Sequence, residues 1–128
     1  MDGKLDRLGQ LYSELGAALL EWFGPGGHHI TVYVEAGDMW VGTSIYHDEG
    51  HRIAYTDDLD VSDILLDIWY AEPADQRWKE MQFDIDGTKF HARNFFDEDL
   101  NKRESYDIRR ERAVRARFGD KPIYYPPL

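Results

Sequence analysis

The sequence contains no cysteine. That excludes a disulfide framework, thiolate metal sites and thiol catalysis, and it suits a reducing compartment. Long apolar runs are also missing: none approaches the roughly 20 residues a membrane-spanning helix needs. The opening stretch, MDGKLDRLGQ, lacks the charged-then-apolar pattern of a signal peptide. A cytoplasmic protein is therefore the expectation. Bases are scarce, with 15 Lys and Arg against 25 Asp and Glu and a net charge of −10. Such a chain is repelled by phosphate backbones and attracts basic proteins. No Gly-rich loop follows a strand to cradle phosphate, and Ser13, Ser44, Ser62 and Ser105 sit in no nucleophile-elbow pattern. No enzymatic machinery and no cofactor are expected.

What is present suffices for one hydrophobic core, and 1–128 is read as a single domain. Leu5, Leu8, Leu11, Leu15, Leu19 and Trp22 recur at helical spacing, with Asp2 as cap and 24–27 as the stop. HITVYVEAG, MWVGTSIYH and HRIAYT alternate as three strands of a meander. A second helix carries Ile64, Leu65, Ile68 and Trp69 and ends before Pro73. Two further strands flank Asp86-Gly87, a strong hairpin signal. A last helix within 104–118 should bury Ile108, Val114 and Phe118 and stop at Gly119. The tail, 121–128, is extended. The order is α-β-β-β-α-β-β-α. It predicts an α+β domain with a five-stranded antiparallel sheet and helices on one face. The other face would then show Tyr33, Trp40, Tyr46, Trp78 and His91 to solvent or to a partner.

The stretch YTDDLDVSDILLDIWY carries Asp57, Asp58, Asp60, Asp63 and Asp67 without a base. A calcium loop opening at Asp58 would need Gly at its sixth position and Glu at its twelfth, and finds Asp63 and Trp69 there. A helix start fits better: Asp60 as cap, Asp63 three residues on, and Leu59 against Ile64 as a hydrophobic staple. Asp57, Asp58 and Asp67 are left without a local role.

Two other constellations stay open. His47 and His51 flank a turn and could serve a small metal-dependent hydrolase, although they lack the helical HExxH arrangement. Lys102, Arg103, Arg109, Arg110, Arg112, Arg115, Arg117 and Lys121 make 102–121 basic, which could serve an RNA-binding module. Glu111 and Arg115 would pair along that helix.

RWKEMQFDIDGTKFHARNFFDEDL followed by DIRRERAVRARFG resembles the YezG-like immunity or antitoxin family. The shared pattern is a Trp-led strand, an Asp-Gly hairpin, a strand ending in aromatic-Asp-x-Asp-Leu, and an Arg-rich helix closing at Gly. Ala113 and Val114 stand where that pattern has an aromatic. The resemblance implies a small bacterial inhibitor that neutralises a secreted or contact-delivered toxin, often a nuclease, by binding it. Nuclease domains are basic because they hold phosphates, so an acidic inhibitor is drawn to them. The expected contact residues are Asp57, Asp58, Asp60 and Asp67, with Asp48 and Glu49 on the neighbouring turn. Trp40, Tyr46 and Tyr55 are the expected aromatic anchors.

Overall fold

The computed structural model describes residues 3–24 and 28–126. The Asp2 cap, the Leu5 side chain, 25–27 and 127–128 lie outside what is described. Helix α1 runs Gly3–Phe23, and strands β1 (His29–Gly37), β2 (Trp40–Asp48) and β3 (Ile53–Thr56) follow. Helix α2 (Ser62–Ala71) leads to β4 (Glu80–Asp86) and β5 (Lys89–Phe95), then α3 (Tyr106–Phe118) and a two-residue β6 (Ile123–Tyr124). The six strands form one mixed sheet in the order β5-β4-β1-β2-β3-β6. Every pairing is antiparallel except β3 with β6. The fold is α+β, but the sheet has a sixth strand because Ile123 and Tyr124 of the tail dock beside Ile53 and Ala54.

Period-2 alternation explains the main core. Ile30, Val32 and Val34 of β1 and Met81, Phe83 and Ile85 of β4 face one way and are fully or almost fully buried. Against them pack Leu8, Leu11, Leu15 and Leu19 of α1 and Leu65, Ile68 and Trp69 of α2. Trp22, at the end of the expected stripe, is half exposed instead. Trp78 was expected on the open face; it is wholly buried in this core.

The helices do not share one face. Helix α3 crosses the opposite side of the sheet, where Val114 and Phe118 close on Tyr46 and Ile53. Ile108 points outward, half exposed. Most of α3's attachment is polar. Arg109 pairs with buried Glu80 (2.5 Å), Arg110 donates to Ser44 (3.1 Å), and Arg117 donates to Thr31 (3.2 Å) and Asp86 (2.7 Å). Tyr106 donates to the Tyr33 carbonyl (3.3 Å). Tyr33 and Tyr46 are therefore buried, and of the aromatic face expected from the strands only Trp40 and His91 remain exposed. Ser105 caps α3 by accepting from the Ile108 N–H, and Gly119 ends it at a φ of 76° that only glycine adopts freely.

Candidate partner-binding surface

The acidic stretch folds into the loop after β3 and the outer side of α2. Val61, not Asp60, occupies the cap position of α2, because its side chain is needed in the core. Asp60 lies one residue earlier and accepts from the Ser62 N–H at 2.9 Å. The Ser62 hydroxyl and N–H hold the Asp60 carboxyl below the usual carboxylate range. Asp57 and Asp58 are exposed on the loop. Asp63, Asp67 and Tyr70 follow at steps of four and three, so they form one exposed stripe along α2. None of the five aspartates has an ion-pair partner among the described residues.

The stripe ends against the β1–β2 hairpin. The Tyr70 hydroxyl donates to Asp38 (2.5 Å) and accepts from the Met39 N–H (2.8 Å). Met39 holds a left-handed backbone, φ 65°, and its side chain is 81% exposed. A non-glycine residue in that conformation costs about 1–2 kcal/mol, which the Tyr70 and Asp38 contacts must offset. Next to it Trp40 is half exposed, its indole lying across Gly37, where any Cβ would collide with the ring. Met39 and Tyr70 thus stand out from the surface at the end of an acidic stripe, and Trp40 is exposed at the same hairpin on the α3 side of the sheet. Sequence reasoning named Trp40 but missed Met39 and Tyr70. A signal existed for Tyr70, which continues the helical spacing of Asp63 and Asp67; Asp38-Met39 shows itself as the two-residue loop only in the strand register.

Other expected contact residues are engaged elsewhere. Tyr46 is buried beneath α3 and can anchor no partner. Tyr55 is half-buried between Tyr46 and Tyr125, with ring centroids 5.4 and 5.1 Å away. Asp48 pairs with Lys121 at 2.8 Å. Burial opposes ionisation of Asp48, but Lys121 and the Gly50 N–H outweigh it and hold the carboxyl below its usual range. Glu49 pairs with Arg52 at 2.7 Å.

The histidines are brought together differently from expectation. His47 Nε2 lies 3.0 Å from Nδ1 of His28, and Nε2 of His28 lies 2.8 Å from the Gly24 carbonyl. That carbonyl can only accept, so His28 carries its proton on Nε2. In the neutral pair Nδ1 of His28 then accepts, and His47 donates from Nε2. Phe23 stacks on His47 at 4.4 Å. His51 is exposed in the turn and takes no part. Among the described residues no group of three or more His, Asp or Glu side chains could hold a metal ion.

Burial, reinforced by His28, pushes the His47 imidazole below its usual range. The unfolded chain then binds more protons than the folded one over the window below about pH 6.5. Stability is complete above that pH, falls as pH drops toward the lowered value, and levels off beneath it. Urea midpoints between pH 7.5 and 5 should show this decline, and His47→Gln should flatten it; an unchanged slope in the variant would assign the decline to other groups.

The basic C-terminal helix also spends its charge internally. Beyond the contacts already given, Arg112 pairs with Glu104, and Arg115 donates to the carbonyls of Gly119 and Lys121. The expected Glu111–Arg115 pair is replaced by these carbonyl contacts, which close the end of the helix.

No protein-family model matches the chain, and no curated protein matches its sequence. No described helix is long and apolar enough to cross a membrane.

Proposed function

We propose that the protein is an inhibitor of the immunity type, binding a basic bacterial toxin domain, of the nuclease kind, and covering its phosphate-holding surface. One observation carries the reading: five exposed aspartates, without ion-pair partners among the described residues, run into a projecting Met39 and Tyr70, with Trp40 exposed on the same hairpin. Unpaired acids raise the association rate with a basic partner, and a small aromatic and Met cluster supplies the desolvated anchor. The resemblance to the YezG-like family points the same way, and the cytoplasm is where such an inhibitor would meet an incoming toxin. Asp57, Asp58, Asp60 and Asp67 keep the role first expected of them, with Asp63 added. Asp48, Glu49 and Tyr46 leave the surface because they are paired or buried.

The test is co-expression with the toxin domain encoded beside this gene, scored as restored growth and followed by binding kinetics. Asp57→Lys with Asp58→Lys should slow association about tenfold at low salt and far less at high salt, since screening removes the steering. Restored growth with unchanged on-rates would move the contact elsewhere on the molecule. No restored growth with any neighbouring toxin domain would reject the inhibitor reading.

A further inference from the structure

Helix α3 covers only part of its side of the sheet. Its apolar contacts fall on β2, β3 and β6, and a groove of about 560 Å³ opens over β4 and β5. Arg93 and Phe95 line the β5 side of the groove, and Arg112, Ala113 and Ala116 line the α3 side. Strand β5 is the free edge of the sheet, and its first five residues, Lys89 to Arg93, are all exposed.

Two properties of this edge define what would fit it. The first is charge. Lys89, His91 and Arg93 project on the groove side of β5, on the same face as Asp86, Asp84 and Gln82 of β4. Asp84 and Asp86 are already taken by Arg117 at 3.6 and 2.7 Å. Lys89 and Arg93 have no acidic partner among the described residues. In a chain of net charge −10, these are two uncommitted cations at the strand edge, while the groove behind them also carries Asp99 and Glu104. The second is the backbone. The Gly87 N–H donates to the His28 carbonyl, so odd-numbered residues of β4 bond toward β1 and even-numbered ones toward β5. Their β5 partners Lys89, His91, Arg93 and Phe95 therefore bond inward. Phe90, Ala92 and Asn94 turn their N–H and C=O outward, available to another strand.

We propose that β5 accepts an extended acidic peptide as a seventh strand, its acidic side chains lying beside Lys89, His91 and Arg93 on their face of the sheet and its alternate apolar side chains continuing the Phe90 and Ala92 row. Backbone hydrogen bonds would supply affinity, and the alternating side chains would supply selection. A second copy of this chain fits poorly, because β5 against β5 sets its bases against each other. This surface lies away from the α2 stripe and selects the opposite charge, so it stands independently of the inhibitor reading.

The test uses fluorescein-labelled short peptides that alternate glutamate with valine or lysine with valine, and a single-stranded DNA oligonucleotide of similar length. The glutamate peptide should bind the full chain, and hydrogen exchange should slow at the amides of Phe90, Ala92 and Asn94. Arg93→Glu should weaken binding about tenfold or more, the loss of one charge-assisted contact together with a new repulsion. Ala92→Pro removes one outward N–H while sparing the ladder to β4, and it should weaken binding comparably. Circular dichroism of both variants checks the fold. No binding of the glutamate peptide, equal binding of the lysine peptide, or binding unaffected by Ala92→Pro in a folded variant would each overturn the proposal. Tighter binding of DNA than of the glutamate peptide would replace it with a phosphate-binding patch.

Discussion

Arg109→Ala should destabilise the protein by about 3–5 kcal/mol, the range found when a buried carboxylate loses its cation. Glu80 is 2% exposed beneath α3. It accepts from the Tyr33 hydroxyl at 2.7 Å and from Arg109 through Nε and Nη2 at 3.0 and 2.5 Å. The same guanidinium donates through Nη1 to the carbonyls of Glu104 (2.5 Å) and Asn101 (3.3 Å), so one side chain ties α3 and the loop before it to β4. Truncation leaves a charge in a place water does not reach, and it frees two carbonyls as well. Since total stability for such a domain is about 5–15 kcal/mol, the loss is a large fraction of it. The melting temperature should fall on the order of 10–20 °C. Adding Glu80→Gln to Arg109→Ala removes the orphan charge and keeps an acceptor for Tyr33, so part of the loss should return. Arg112→Ala is the control: its pair with Glu104 is exposed on the arginine side, and it should cost under about 1 kcal/mol. If Arg109→Ala were no worse than Arg112→Ala, α3 would be held by its apolar contacts alone.

That cluster also shows where sequence reading stopped. Strand phase was legible: Ile30, Val32 and Val34 on one side and Thr31, Tyr33 and Glu35 on the other, with the Asp86-Gly87 hairpin and the Gly119 stop where expected. What failed was the meaning of the polar phase. Glu80, Gln82 and Thr31 read as a solvated face, yet all three are buried. They are covered by a helix whose sheet-facing residues include Arg109, Arg110 and Arg117, which apolar periodicity does not register. Long arginine stems can bury their methylenes while the heads find carboxylates, so a charged helix can dock like an amphipathic one. The signal available was complementary: acids at period two in β4 against arginines at helical spacing in α3. Strand β6 is two residues long, too short for any period. The acidic stripe was legible because, among the described residues, no cation pairs with it. Met39 was hidden because its prominence comes from a left-handed turn, and no pattern of residue types at that turn announced one.

Of the two buried tryptophans, the less buried one should tolerate phenylalanine worse. Trp78 is wholly buried, and Trp69 is 7% exposed. Trp69 Nε1 donates to the Trp78 carbonyl at 2.8 Å, while Nε1 of Trp78 has no partner among the described residues. Trp78→Ala should cost about 3–5 kcal/mol through the cavity it leaves. Trp78→Phe also loses volume, but it removes a buried N–H whose desolvation is unreturned, an offset of about 1–3 kcal/mol. Trp69→Phe has no such offset: it strands the Trp78 carbonyl and withdraws the indole that Arg77 covers at 4.8 Å. Its effect should also travel. Trp69 meets Tyr70 edge-on at 5.1 Å, and Tyr70 holds the Asp38-Met39 turn. Loosening Trp69 therefore loosens a contact that helps keep Met39 in its left-handed conformation. Urea unfolding of the three variants should rank Trp78→Phe as mildest, and amide exchange at Met39 should quicken in Trp69→Phe alone. Equal costs for the two phenylalanine variants would mean that the Trp69 hydrogen bond contributes nothing net. Unchanged exchange at Met39 would mean that the hairpin tip is held by the β1–β2 ladder itself, and the projecting cluster would then be independent of the core beneath it.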